Sequence, residues 1–108
     1  MTEPLQVQLR KGVLELCVLA LLSQQESYAY ELANRLAGDV GMGEGTIYPL
    51  MRRLQNDGLV STHMVQSSSG PSRKYYKLTA AGRAAFAAQK ADWLDFVAAI
   101  NRTLGESA

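Results

Sequence analysis

The residues best equipped to do chemistry in this chain are cations. Arg52, Arg53, Arg73, Lys74, Lys77 and Arg83 fall within residues 43–83, where only Glu44 and Asp57 oppose them. That stretch carries a net +4, against −2 for residues 1–42 and −1 for residues 84–108, which together give the overall +1. A basic centre between acidic ends is the electrostatic footprint of a surface that meets phosphates. Such cations replace the counterions condensed on a duplex. Thr46 and Tyr48 stand just before the arginine pair, where their hydroxyls could touch base edges or phosphates, and Tyr75 follows Lys74. A solvated face with chance clustering is the plainer alternative.

Other chemistry finds little support. Cys17 is the single cysteine and His63 the single histidine, so neither an internal disulfide nor a tetrahedral zinc set is available. Cys17 lies in an apolar run and reads as a small packed hydrophobe. His63 has no Asp or Ser partner at a persuasive spacing, and Asp92 and Asp95 read as solvent-facing charges. No nucleophile, base or phosphate-loop pattern stands out, so no enzyme activity, metal or cofactor is expected.

The elements that must position the cations are legible in outline. With 108 residues, 47% apolar and 19% charged, the chain has oil for one core and no case for disorder. Its start, MTEPLQ, lacks a signal-peptide layout, and its uncharged run from Leu16 to Gln25 is far short of a membrane span. A soluble, cytoplasmic protein is therefore expected. Residues 5–23 read as a helix with Leu5, Leu9, Gly12, Leu16 and Leu19 on one face and further apolar residues around most of its circumference. Such a helix needs cover on more than one side, and a second subunit is a natural source. Ser27 is expected to cap a helix over 28–37, with Tyr28, Leu32 and Leu36 on one face and Gly38 as its left-handed stop. The glycine-rich segment 38–45 reads as a turn.

A third helix is expected from about Glu44 to Asp57, ending at Gly58, with Ile47, Leu50 and Leu54 inward and Thr46, Tyr48, Arg52 and Arg53 outward. Pro49 fits it only if the helix begins near Gly45. Residues 59–66 and 73–78 read as two strands joined by a Ser/Gly/Pro-rich loop over 67–72. Alternation sets Lys74, Tyr76 and Leu78 on one face and Arg73, Tyr75 and Lys77 on the other. Thr79 can cap a long helix over 80–104 whose stripe runs through Phe86, Trp93, Val97, Ile100 and Leu104. The order of elements is that of a winged helix-turn-helix: mainly α, with a small hairpin wing and a long C-terminal helix.

Longer strings make a family resemblance specific. Residues 45–54, GTIYPLMRRL, followed by DGLV at 57–60, resemble the recognition helix of PadR-type transcriptional regulators. Residues 70–82, GPSRKYYKLTAAG, resemble their wing and the entry to the last helix, and RKGVLELCVLALL at 10–22 and YAYEL at 28–32 also match. The single C-terminal helix is similar to the small subgroup that includes multidrug-binding members. Gly43 stands where such proteins often have Ser or Asn, which weakens the cap, and Ser72 where a second proline is frequent, which loosens the wing tip.

The resemblance implies a homodimeric repressor on a near-palindromic double-stranded DNA operator, released by a small effector. Residues 1–78 would form the DNA-binding unit, with helix 5–23 also in the dimer interface, and residues 79–108 the dimerisation helix. Thr46, Tyr48, Arg52, Arg53, Arg73, Lys74 and Tyr75 would face DNA, and Arg53→Ala is expected to lower affinity. Trp93 occupies the place where small members stack planar aromatic drugs, with Leu9, Gly12, Leu16 and Leu19 as cavity walls. The plainer reading of Trp93 is an interface anchor without a cavity. A winged-helix module that binds a protein, not DNA, is the competing function.

Overall fold

In the computed structural model, which describes residues 4–41 and 44–105, the element order is α1 (Leu5–Gln24), β1 (Ser27–Tyr28), α2 (Ala29–Val40), α3 (Glu44–Asn56), β2 (Val60–Val65), β3 (Arg73–Leu78) and α4 (Ala80–Leu104). Four helices and a small antiparallel sheet make a winged helix-turn-helix with a long trailing helix. The apolar periodicities meet in one core. Val18, Leu19 and Leu22 from α1 pack with Leu32, Ala33 and Leu36 from α2, with Ile47, Leu50, Met51 and Leu54 from α3, and with Val60, Tyr76 and Leu78 from the sheet. Burying each large side chain contributes roughly 2 kcal/mol, and Ala85 and Phe86 of α4 pack against the same cluster.

The wing differs from the expected hairpin by one strand. The sheet order is β1-β3-β2, with Val60 opposite Leu78, Val65 opposite Arg73, and Ser27 opposite Tyr76. Ser27 is therefore a strand residue and not the cap expected of it. It is fully buried, and its hydroxyl has no hydrogen-bond partner among the described residues. Tyr28, expected on the helical face, takes the extended cap position of α2 instead (ψ 162°). The stop of α2 is also displaced. The helix runs through Gly38 and ends at Gly41, whose φ of 72° is the left-handed conformation that suits glycine. Gly38 is exposed, and a helix tolerates a solvent-facing glycine at a modest cost. Gly43 lies outside the described residues, as do Met1 to Glu3.

A tight joint ties α4 to the turn between α3 and β2. The Thr79 hydroxyl donates to the Gly58 carbonyl at 2.7 Å and accepts from the Gly82 amide at 3.0 Å, while the Thr79 amide donates to the Leu59 carbonyl at 3.1 Å. Gly58 has a φ of 75°, which turns the chain from α3 into β2. At Gly82 a side chain has no room, because a Cβ there would lie 2.0 Å from the Leu59 carbonyl oxygen.

Beyond the joint α4 leaves the core. The molecule measures 54 × 34 × 23 Å with a radius of gyration of 15.8 Å, against about 13 Å for a compact chain of this length. The excess is the projecting arm, where α4 packs along α1 and leaves Trp93, Leu94, Phe96, Ile100 and Leu104 exposed. Leu5 and Leu9 of α1 are exposed too. No helix among the described residues is long and apolar enough to cross a membrane.

Candidate nucleic-acid interface

The periodicity of α3 divides its residues among three faces. Ile47, Leu50, Met51 and Leu54 enter the core. Tyr48, Arg52 and Gln55, at spacings of four and three, form an outward stripe. Arg53 lies about 100° round the helix from Arg52 and faces a third way. Pro49 falls in the second turn and is exposed. It withholds an amide only from the Gly45 carbonyl, which lies at the exposed helix start, so the helix opening at Glu44 accommodates it.

The outward stripe forms one wall of a groove of about 580 Å³. The other walls are Tyr28, Ala29 and Tyr30 from the start of α2, and Arg73, Lys74 and Tyr76 from β3. Three cations from two elements converge here, and no carboxylate appears in the lining among the described residues. Aromatic contacts fix the wing cations. Arg73 donates from Nη1 to the Tyr28 hydroxyl at 2.6 Å, and its Cζ sits 4.5 Å from the centre of that ring. Lys74 Nζ lies 5.5 Å from the Tyr76 ring centre. Such cation–π contacts orient a charge without neutralising it, leaving these groups able to meet an anion.

The structure thus gathers Tyr48, Arg52, Arg73 and Lys74, and adds Gln55, Tyr28 and Tyr30, which sequence reasoning missed. Gln55 had a visible signal, three residues on from Arg52. Tyr28 and Tyr30 had none, since their place depends on the pairing of β1 with β3. Thr46 is exposed near the start of α3. Tyr75 does not line the groove. It is half-buried beside Tyr28, with ring centres 5.3 Å apart, and 6.1 Å from the His63 ring. His63 has the partner its spacing did not reveal, Glu26, at 2.9 Å.

Arg53 is absent from the groove lining. Its Nη2 donates to Glu15 Oε1 at 2.5 Å, and its Nη1 lies 3.6 Å from Asp57 Oδ2. The pair with Glu15 holds the Arg53 guanidinium above its ordinary pKa. The second oxygen of Glu15 accepts from Gln89 Nε2 at 2.7 Å. Burial pulls the Glu15 carboxyl up, but the hydrogen bonds from Arg53 and Gln89 and the nearby positive charge outweigh it, so it sits below its ordinary value. Cys17, half-buried against the core, has its thiol pushed up by burial, which suits an inert packing residue.

A second, smaller groove of about 260 Å³ lies between α1 and α4, lined by Gly12, Val13, Leu16, Gln89, Asp92, Trp93 and Phe96. Of the walls expected around Trp93, Gly12 and Leu16 are present. Leu9 lies outside the lining with about half its surface exposed, and Leu19 is fully buried in the core. Leu19 lies nearly one turn further along α1, in the stretch with Val18 and Leu22 that enters the core.

Comparison with known proteins agrees with this architecture. Residues 18–88 match the Transcriptional regulator PadR-like family. A PadR-like transcriptional regulator from Bacillus cereus is 40% identical, superposes with a TM-score of 0.81, and is matched over 90% of this chain and 96% of its own. A PadR-like transcription factor from Bacteroides fragilis is 38% identical with a TM-score of 0.74, over 94% and 99% of the two chains. A PadR family transcriptional regulator from Eggerthella lenta is 34% identical with a TM-score of 0.78, over 91% and 87%. With a winged fold, a cationic groove between reading helix and wing, and a family match across most of its length, the chain belongs to the PadR-like family of transcriptional regulators and is a DNA-binding regulator, not an enzyme.

Proposed function

We propose that the protein is a homodimeric repressor, acting in the cytoplasm on a near-palindromic operator. The convergence of Arg52, Arg73 and Lys74 on a groove free of carboxylates among the described residues carries this reading. In it α3 enters the major groove with Tyr48, Arg52 and Gln55 toward the base edges and Thr46 near the helix start. Arg bidentate to guanine and Gln bidentate to adenine are the pairings such a stripe offers. The wing follows the flanking backbone through Arg73 and Lys74, and Tyr75 buttresses it from behind. Residues 1–78 form the DNA-binding unit and residues 79–108 the arm that pairs two copies.

Exposed apolar surface supports pairing through α1 and α4. Trp93 is 40% exposed, Phe96 58% and Leu104 69%, on a helix face that the other described residues leave open. A second copy related by a two-fold axis buries these faces and presents two reading heads to one duplex, which is why the operator is near-palindromic. The groove beside Trp93 is the place for a planar aromatic effector, with Gly12 and Leu16 as its walls.

The test is fluorescence anisotropy with a duplex drawn from upstream of the protein's own coding sequence. Affinity should fall steeply between about 50 and about 200 mM salt, as displaced counterions require. Arg52→Ala should weaken binding about tenfold. A duplex that is not bound, while the wing face captures a protein, would favour the interaction-module alternative.

A further inference from the structure

Glu15 occupies an unusual position among the charged residues. It stands on α1, half-buried, and each of its carboxylate oxygens is claimed by a different helix. Oε1 accepts from Arg53 of α3, and Oε2 accepts from Gln89 of α4. Arg53 sits next to Arg52, so the hydrogen bond grips the reading helix close to the middle of its outward stripe. Gln89 lies one turn before Trp93 and lines the same small groove. One carboxylate therefore bridges the wall of that groove and the helix that meets DNA.

We propose that Glu15 is a positioning residue for DNA reading, a relay that conveys the state of the groove wall at Gln89 to α3 through Arg53. This rests on the reading of α3 as the DNA-facing helix. The physical basis is the shared acceptor. When Gln89 turns away to serve something in the groove, Glu15 loses the donor that fixes one of its oxygens. Its carboxylate is then free to rotate, and the geometry that holds Arg53 is lost. Both bonds end on the carboxylate charge, but only the one from Arg53 pairs two ions, so it is the stronger; a change in the weaker Gln89 bond initiates the shift and the Arg53 bond transmits it to α3. Arg53 Nη1 also lies 3.6 Å from Asp57, just past the end of α3, so the guanidinium already has a second carboxylate to turn toward when Glu15 lets go. In the relay the arginine moves from this shared arrangement to one held by Asp57 alone, the kind of shift by which a coupling between sites is carried.

Two measurements on the full-length protein decide it. In the first, duplex affinity is measured for Gln89→Ala, Glu15→Gln and the double variant. Gln89→Ala should weaken binding three- to tenfold, about the size of effect that a coupling residue produces. The double variant should be no weaker than Glu15→Gln alone, because both cut one path. The second measurement is amide hydrogen exchange across residues 47–56 in the free protein. Both single variants should speed exchange there, with Glu15→Gln the larger, while Gln89→Glu, which repels the carboxylate, should act like Glu15→Gln. Unchanged affinity and exchange in Gln89→Ala, or effects of the two variants that simply add, would overturn the relay. A wild-type protein that binds no duplex would instead count against the proposed function, and the exchange measurement would still judge the relay.

Discussion

The two halves of the chain treat their apolar residues in opposite ways. In the reading half, α2, α3 and the sheet close over Leu19, Leu32, Ile47, Met51 and Leu54 until these residues have almost no surface left. In the arm, α4 holds Leu94, Phe96 and Leu104 mostly in water. Both halves obey the same helical periodicity, so the difference lies in what surrounds them. The reading half has five elements to cover one another, whereas among the described residues α1 is the element that packs along the arm beyond the joint. A sequence that maintains such a stripe for a whole helix is written for a surface its own fold does not supply.

The largest expected effect comes from breaking the joint between the halves. Gly82→Ala sets a Cβ against the Leu59 carbonyl, and backbone cannot retreat as a flexible side chain would. A loss on the order of 3 kcal/mol is expected in urea unfolding. Next comes the arm itself. Phe96→Asp should leave the reading half folded, as near-ultraviolet dichroism would report, yet weaken self-association at least tenfold in sedimentation velocity. A variant that stays fully dimeric would show that the exposed stripe is not the contact.

Acid exposes a smaller difference, at the contact of the two halves. The Glu15 carboxyl is held below its ordinary value of 4.5, so the unfolded chain binds its proton more readily than the folded one. The stability it contributes is complete above 4.5 and is lost as pH falls through the lower, folded value. Thermal unfolding between about pH 6 and about pH 3 should therefore fall less steeply in Glu15→Gln than in the wild type. The smallest effect is at Ser27. As a helix cap, replacement by Ala would cost about 1 kcal/mol. As a buried strand hydroxyl without a partner among the described residues, replacement should be neutral or stabilising by up to about 1 kcal/mol. Calorimetry distinguishes the two signs.

How far the fold could be read from the chain follows from which interactions are local. The ends of α1, α3 and α4 fall within a residue or two of their expected places, because caps, glycine stops and apolar spacing are all short-range. Thr79 as a cap needed only its own neighbours. The end of α2 is ambiguous in the sequence because two glycines three residues apart, Gly38 and Gly41, both suit a stop, and only the positive φ at Gly41 distinguishes them. β1 was invisible because two residues have no periodicity of their own and pair only with β3, almost fifty positions away.

The same reasoning applies to the candidate interface. Arg52 and Arg53 are chemically identical neighbours, and their separation into an open groove and an internal ion pair depends on Glu15, 38 residues earlier. Leu94 and Phe96 lie beside the stripe expected through Trp93 and Val97, and their exposure depends on which elements pack along α4. Charge segregation, by contrast, does not depend on where elements end: Arg52, Arg73 and Lys74 of the basic centre converge on one groove, while Arg53 is held by Glu15.

The joint at Thr79 and Gly82 has a mechanical consequence. β3 is the middle strand of the wing, and it passes directly into a helix of 25 residues, about 37 Å long. In the proposed dimer that rod is a pointer clamped at its base, and a tilt of about 5° there swings its tip by roughly 3 Å. Run in reverse, a small displacement between paired tips re-aims both reading heads against a duplex whose grooves recur every 34 Å or so. The clamp that refuses even a methyl group keeps that pointer true.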